Sequence, residues 1–278
     1  MIDSTWLVLR AAALVLTLQA TGMSVFGLLF HRVPLSPAVR RSAARTAWAA
    51  VALVGMQLLL EPAHLALEWS AITDPAMLRL AADSGGTRAL AVRGLGLLCI
   101  LAAIRAGAAL RLAGIAFVLT SFALSGHTVA HEHRAVMDAI LIVHVAIVAF
   151  WLGALPPLRL VLLREATGSA VQLLSEFSQL AVWLVPVIAL AGLSLALLLL
   201  PDVAALAQPY GLALLAKVAL FALLMGIAGL NRLRLVPALT RGDAGVAASL
   251  ARVIGTEWLL ICGVLAVTAV MTGSFSPD

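Results

Sequence analysis

Residues 135–157 read AVMDAILIVHVAIVAFWLGALPP. Only Asp138 and His144 interrupt the apolar run, and a helix needs about 20 such residues to cross the hydrocarbon core of a bilayer. Seven more segments have the same character: 6–30, 46–67, 88–105, 111–130, 179–200, 211–231 and 252–272. None alternates as a strand does, and the connections between them are short. The expectation is an all-α fold, a polytopic membrane helical bundle of eight transmembrane helices that makes one transmembrane domain over 1–278. Composition points the same way: 63% of residues are hydrophobic, 11% are charged and the mean hydropathy is +1.10. Soluble domains carry about 45–50% apolar and about 25% charged residues. The N-terminus has no basic region ahead of its apolar run and no convincing cleavage site, so the first span is read as retained.

Arginines fix the expected orientation. Arg32, Arg40, Arg41 and Arg45 fall in the first connection, and Arg105 and Arg111 in the third. Arg159 and Arg164 fall in the fifth, and Arg232, Arg234, Arg241 and Arg252 in the seventh. Most of the eighteen basic residues thus share one side, which the positive-inside rule makes cytoplasmic. Both termini then face outward, the periplasm if the membrane is a bacterial inner membrane. The formal charge of +5 could suggest nucleic acid, but there is no basic run and no aromatic-interleaved basic patch. No phosphate loop G-x-x-x-x-G-K-[ST] and no D-K-T-G phosphorylation sequence occurs, so a nucleotide-driven pump is not expected. Cys99 and Cys262 are isolated within spans and read as small packing residues, with no C-x-x-C pair.

An ionisable side chain inside a bilayer is costly, so each one is a candidate functional residue. Gln57, Glu61, His64 and Glu68, spaced by four, three and four, share one face of the second span, with Met56 beside its inner end. Imidazole, carboxylate and thioether suit a transition metal or a proton path; polar residues reaching headgroups would give the same pattern. The stretch Gly126–His133, GHTVAHEH, holds His127, His131 and His133, three of the six histidines. It fits either a metal-binding cluster or a solvated loop. His144 falls near the midplane, with Met137 and Trp151 seven residues to either side; metal binding and an interhelical hydrogen bond both fit it. Arg10, Arg93 and Lys217 lie a few residues inside the outer ends of their spans. They are read as structural ion-pair residues, with Glu61 and Asp138 as possible partners. Glu257, near the inner end of the last span, is read the same way, with Arg232 or Arg252 as partner.

In ordered pieces the chain resembles the copper-resistance D (CopD) family of bacterial inner-membrane proteins. The pieces are Gly126-His127 at the end of the fourth span, and His144 followed by Trp151-Leu152-Gly153. Tyr210-Gly211, Lys217, Asn231-Arg232 and Pro237 follow in the seventh span and its exit, then Glu257-Trp258 in the last. Arg10 and Arg93 fit the pattern of the first and third spans. Two positions depart from it: Ile140 and Leu141 stand where the family often has Asp or Asn, and Ala13 where many members have His. If those residues are ligands elsewhere, His131, His133 and the second-span stripe are the candidates here.

The resemblance implies copper handling at the inner membrane, usually described as import from periplasm to cytoplasm, with copper in either oxidation state. The expectation is a copper transporter and not an enzyme, supplied by a separate periplasmic copper carrier. Its metal residues would be His127, His131, His133, His64, Glu61, His144, Met137 and Met56, acting by ligand exchange. Two rivals remain: a haem-binding transmembrane electron-transfer protein using His64 and His144 as axial ligands, and a non-transporting periplasmic copper-delivery factor.

Overall fold

The computed structural model describes residues 2–31, 36–124, 134–164, 167–200, 202–243 and 245–274. Its helices are α1 (Ile2–Leu29), α2 (Pro37–Ala66), α3 (Pro75–Asp83), α4 (Gly85–Ala106), α5 (Ala108–Ser121), α6 (Arg134–Arg164), α7 (Thr167–Leu199), α8 (Pro209–Leu230), α9 (Val236–Arg241) and α10 (Val246–Ser274). A π-helical turn, Asn231–Leu235, carries α8 into α9 without a break. There is no strand among the described residues, so the all-α expectation holds.

Among the described residues, seven helices are long and apolar enough to cross a membrane. The expected fourth span is the exception. Its described helix, α5, has 14 residues, about 21 Å at 1.5 Å per residue, against a hydrocarbon core of about 30 Å. The second connection also differs from the short loop expected. It holds a 3₁₀ turn, Trp69–Thr73, and then α3. Pro75 opens α3, and the Asp74 side chain caps it by accepting from the Ala76 amide at 2.8 Å. Ser84 caps α4 in the same way, accepting from the Thr87 amide at 3.0 Å. Gly107, at φ +95°, turns α4 back into α5 in a conformation that a side chain would strain.

Long-range contacts show how the helices run. Arg10 of α1 donates to Thr272 Oγ1 of α10 at 3.0 Å, so the start of α1 and the end of α10 lie at one end of the bundle. At the opposite end, Arg159 Nε of α6 donates to the Ala251 carbonyl of α10 at 3.1 Å. α1 packs on α2, α6 and α10 and touches α4 and α5. One apolar core joins Leu18 and Phe26 of α1 to Phe150, Leu155 and Leu158 of α6, Leu173 of α7 and Ile254 of α10. A second joins Ala20 of α1 to Val54 of α2, Leu97 of α4 and Val118 of α5.

Lipid is as apolar as leucine, so helices in a membrane associate by close packing, which favours small residues where they cross. Gly22 of α1 and Gly153 of α6 meet backbone to backbone: a Cβ on Gly22 would stand 1.6 Å from the Ala149 carbonyl oxygen. Gly96 of α4 and Gly114 of α5 repeat the device, each lacking room for a Cβ against the other's carbonyl oxygen at 2.7 Å. We expect Gly22→Ala to cost more than about 2 kcal/mol, since overpacking a tight contact typically costs about 1–3 kcal/mol and here backbone must move. Thermal unfolding in detergent reads this directly. Gly55→Ala, whose Cβ would meet nothing within 4 Å, is the control; equal stability of the two variants would contradict the crossing.

Candidate functional site

At the end of the bundle where α1 begins and α10 ends, α1, α2, α4 and α5 enclose a polar cluster. The four-residue spacing of Gln57 and Glu61 turns both inward, and they are only 3% and 6% exposed. Gly86 of α4 leaves the space that the Glu61 carboxylate occupies; a Cβ there would stand 2.9 Å from Oε1. Arg10 acts on Glu61 through space while bonding Thr272, and Arg93 lies within electrostatic reach of Arg10. Arg93 Nε donates to Ser121 Oγ at 3.1 Å, and its guanidinium covers the Phe122 ring at 4.1 Å. Two permanently charged guanidinium groups therefore stand with one carboxyl group.

The second-span stripe divides along its length. His64 stacks on Trp6 with ring centroids 4.3 Å apart and planes 11° from parallel, and Glu68 lies past the helix and is exposed. Met56 is 48% exposed and lies about a quarter-turn round α2 from the buried Gln57, so its thioether does not face the cluster. Helical geometry requires this, because neighbouring residues point about 100° apart. His127, His131 and His133 lie outside the described residues.

His144 occupies the middle of the bundle. Its ring faces Ile188 and Gly192 of α7, and a Cβ on Gly192 would stand 3.4 Å from Cε1. Lys217 of α8 is within electrostatic reach of the ring. Met137, two turns earlier on α6, is fully buried. The expected ion pairs are only partly present. Asp138 is taken by Arg134, four residues earlier, at 3.3 Å. Among the described residues no carboxylate closes on Lys217 within 4 Å, and no group of three or more His, Cys, Asp or Glu side chains gathers as a metal site.

The opposite end holds a second cluster. Glu257 of α10 is 4% exposed, and its partner is not an arginine: Asn231 Nδ2 donates to Glu257 Oε1. Arg232 turns away and donates to the carbonyl and the hydroxyl of Ser178, the latter at 2.7 Å. Arg252 donates to Ser249 Oγ at 3.2 Å. The π-helical turn is the physical reason. It keeps Asn231 inward against α10, while Arg232 and Arg234 stay exposed. Next to this pair lies a cavity of about 320 Å³ between α6, α7, α8 and α10, which sequence reasoning missed. It also missed Gln19, whose Oε1 accepts from Trp258 Nε1 at 2.7 Å. A lone amide in the apolar run 6–30 was the available signal.

Fold and clusters together define a multi-pass helical membrane protein with polar centres buried among its spans. Residues 171–271 match the family model of copper resistance protein D. The match spans most of α7 through most of α10. Tyr210-Gly211, Lys217, Asn231-Arg232, Pro237 and Glu257-Trp258 all fall inside it. No curated protein and no solved structure matches the chain.

Removing one partner of a buried polar pair leaves the other unsatisfied, which costs about 1–3 kcal/mol or more. Asn231→Leu is therefore expected to lower stability by about that much, and Asn231→Leu combined with Glu257→Leu to recover most of the loss. A double-mutant cycle of thermal denaturation measures the coupling. Strictly additive effects would show that the two side chains do not support each other.

Proposed function

We propose that this protein is a permease, not an enzyme, that carries copper across the bacterial inner membrane from periplasm to cytoplasm. The match of residues 171–271 to copper resistance protein D carries this reading. In the proposed topology, α5 and the residues after it make the fourth of eight passes, with both termini periplasmic. The Arg10–Thr272 bond, which brings the start of α1 and the end of α10 together, supports it. So do the arginine-rich connections expected on the other side.

A separate periplasmic carrier would deliver copper to His127, His131 and His133, and Glu61 and His64 would take part in this entry step. The ion would then pass to His144 and Met137, whose imidazole and thioether suit copper better than a hard cation. Met56, facing outward, takes no part in this route. The two guanidinium groups beside Glu61 oppose tight cation binding at the entrance, which favours release, since a transported ion must bind weakly enough to leave. The sequence holds no nucleotide-binding motif, so the driving force is the copper gradient or the membrane potential.

Copper uptake into proteoliposomes tests the route. His144→Ala is expected to lower the initial rate at least several-fold while the variant keeps its melting temperature to within a few degrees. Uptake by the variant at the wild-type rate would remove His144 from the path, and wild-type uptake no faster than in protein-free vesicles would remove transport itself.

A further inference from the structure

The cavity between α6, α7, α8 and α10 is not accounted for by copper passage. Its volume of about 320 Å³ falls in the range of small-molecule sites, which begin near about 300 Å³. Trp151, Leu155, Phe177, Val185 and Met225 make its wall largely apolar. α7 packs on α6 and α9 and α8 packs on α10, but α7 and α8 are not packed along each other. The cavity therefore opens sideways between them. Val182 and Pro186, four residues apart on α7, are its exposed rim. On α8 the wall includes Gly229, where a Cβ would meet nothing within 4 Å. In a chain that crosses a membrane, such an opening borders lipid, whose tails are as apolar as leucine.

The opening also carries a charge. Arg232 lines the cavity and donates through Nη1 to the carbonyl and the hydroxyl of Ser178, across the gap from α7. Nε and Nη2, the other edge of the guanidinium fork, have no protein partner among the described residues. No carboxylate among them closes on Arg232 within 4 Å. Glu257, the acidic residue on the wall, is 4% exposed and takes the Asn231 amide instead. The apolar run 179–200 begins next to Ser178, and the run 211–231 ends next to Arg232. This cation therefore stands where hydrocarbon gives way to head groups. A guanidinium edge matches the oxygens of a phosphate in pairs, and basic pockets between spans bind anionic head groups.

We propose that this cavity holds an acyl chain of an anionic phospholipid whose phosphate is bound by Arg232. The apolar wall selects the chain, and the guanidinium, left without a carboxylate, selects the charge. A zwitterionic phospholipid offers the same chain and phosphate but brings a cation of its own towards Arg232. The site is independent of the copper route and stands whether or not copper crosses.

The test titrates full-length protein in detergent with dioleoylphosphatidylglycerol or dioleoylphosphatidylethanolamine and counts bound lipid by native mass spectrometry. One saturable phosphatidylglycerol is expected, preferred at least several-fold over phosphatidylethanolamine. Arg232→Gln should weaken it about tenfold, the worth of a charged hydrogen bond, and remove the preference. Ser178→Ala, which keeps the guanidinium, should retain both. Gly229→Phe, which fills the cavity from α8, should abolish the tight site, and thermal melts show whether each variant is folded. Glycerol 3-phosphate, a head group without chains, should not compete. Equal binding of the two lipids, competition by glycerol 3-phosphate, or wild-type binding in a folded Gly229→Phe variant would each overturn the proposal. So would a loss in Ser178→Ala as large as in Arg232→Gln, which would make Arg232 a strut between helices and not a phosphate ligand.

Discussion

The backbones of α1 and α6 touch at Gly22 and Gly153, and the rest of the bundle is arranged around that contact. α1 lends Leu18 and Phe26 to the core of the C-terminal helices and Ala20 to the core it shares with α2, α4 and α5. Between hydrocarbon and hydrocarbon there is no hydrophobic gain, so such crossings must come from shape and from polar groups finding partners. The polar contacts sit where this demands: Arg10 with Thr272 and Arg93 with Ser121 at one end, Asn231 with Glu257 and Arg159 with the Ala251 carbonyl at the other. His144 lies between them on α6, the helix that α1 grips.

Much of this was legible in the sequence because membrane spans are written in one dimension. A run such as 135–157 has a single economical solution in lipid, a helix that satisfies its own backbone. The inward turn of Gln57 and Glu61 followed from a spacing of four; Met56, expected among the metal ligands, turns outward, as its place next to Gln57 on the helix requires. α5 was harder. Its apolar composition extends past Ser121, but the described helix stops there, and hydropathy does not register where a helix ends. The N-terminal signals Asp74-Pro75 and Ser84 were readable as caps, yet the second connection was expected to be short because capping of a brief helix leaves no apolar run.

Partners were the least legible part. Glu257 was expected to meet Arg232 or Arg252, the nearest cations by depth. The π-helical turn at Asn231–Leu235 instead presents the amide, and a local change of helical pitch has no hydropathy signature. Asp138 and its Arg134 partner were readable as an i, i+4 pair. The cavity could not be read at all, since it arises where α7 and α8 fail to pack on each other.

The proposed copper route turns on the buried imidazole of His144. Copper K-edge X-ray absorption on purified, copper-loaded protein tests that claim most directly. The account predicts bound copper whose first shell contains imidazole nitrogen, and a loss of part of that shell in His144→Ala. Protein that retains no copper above a protein-free control, or whose copper spectrum is unchanged by His144→Ala, would contradict it.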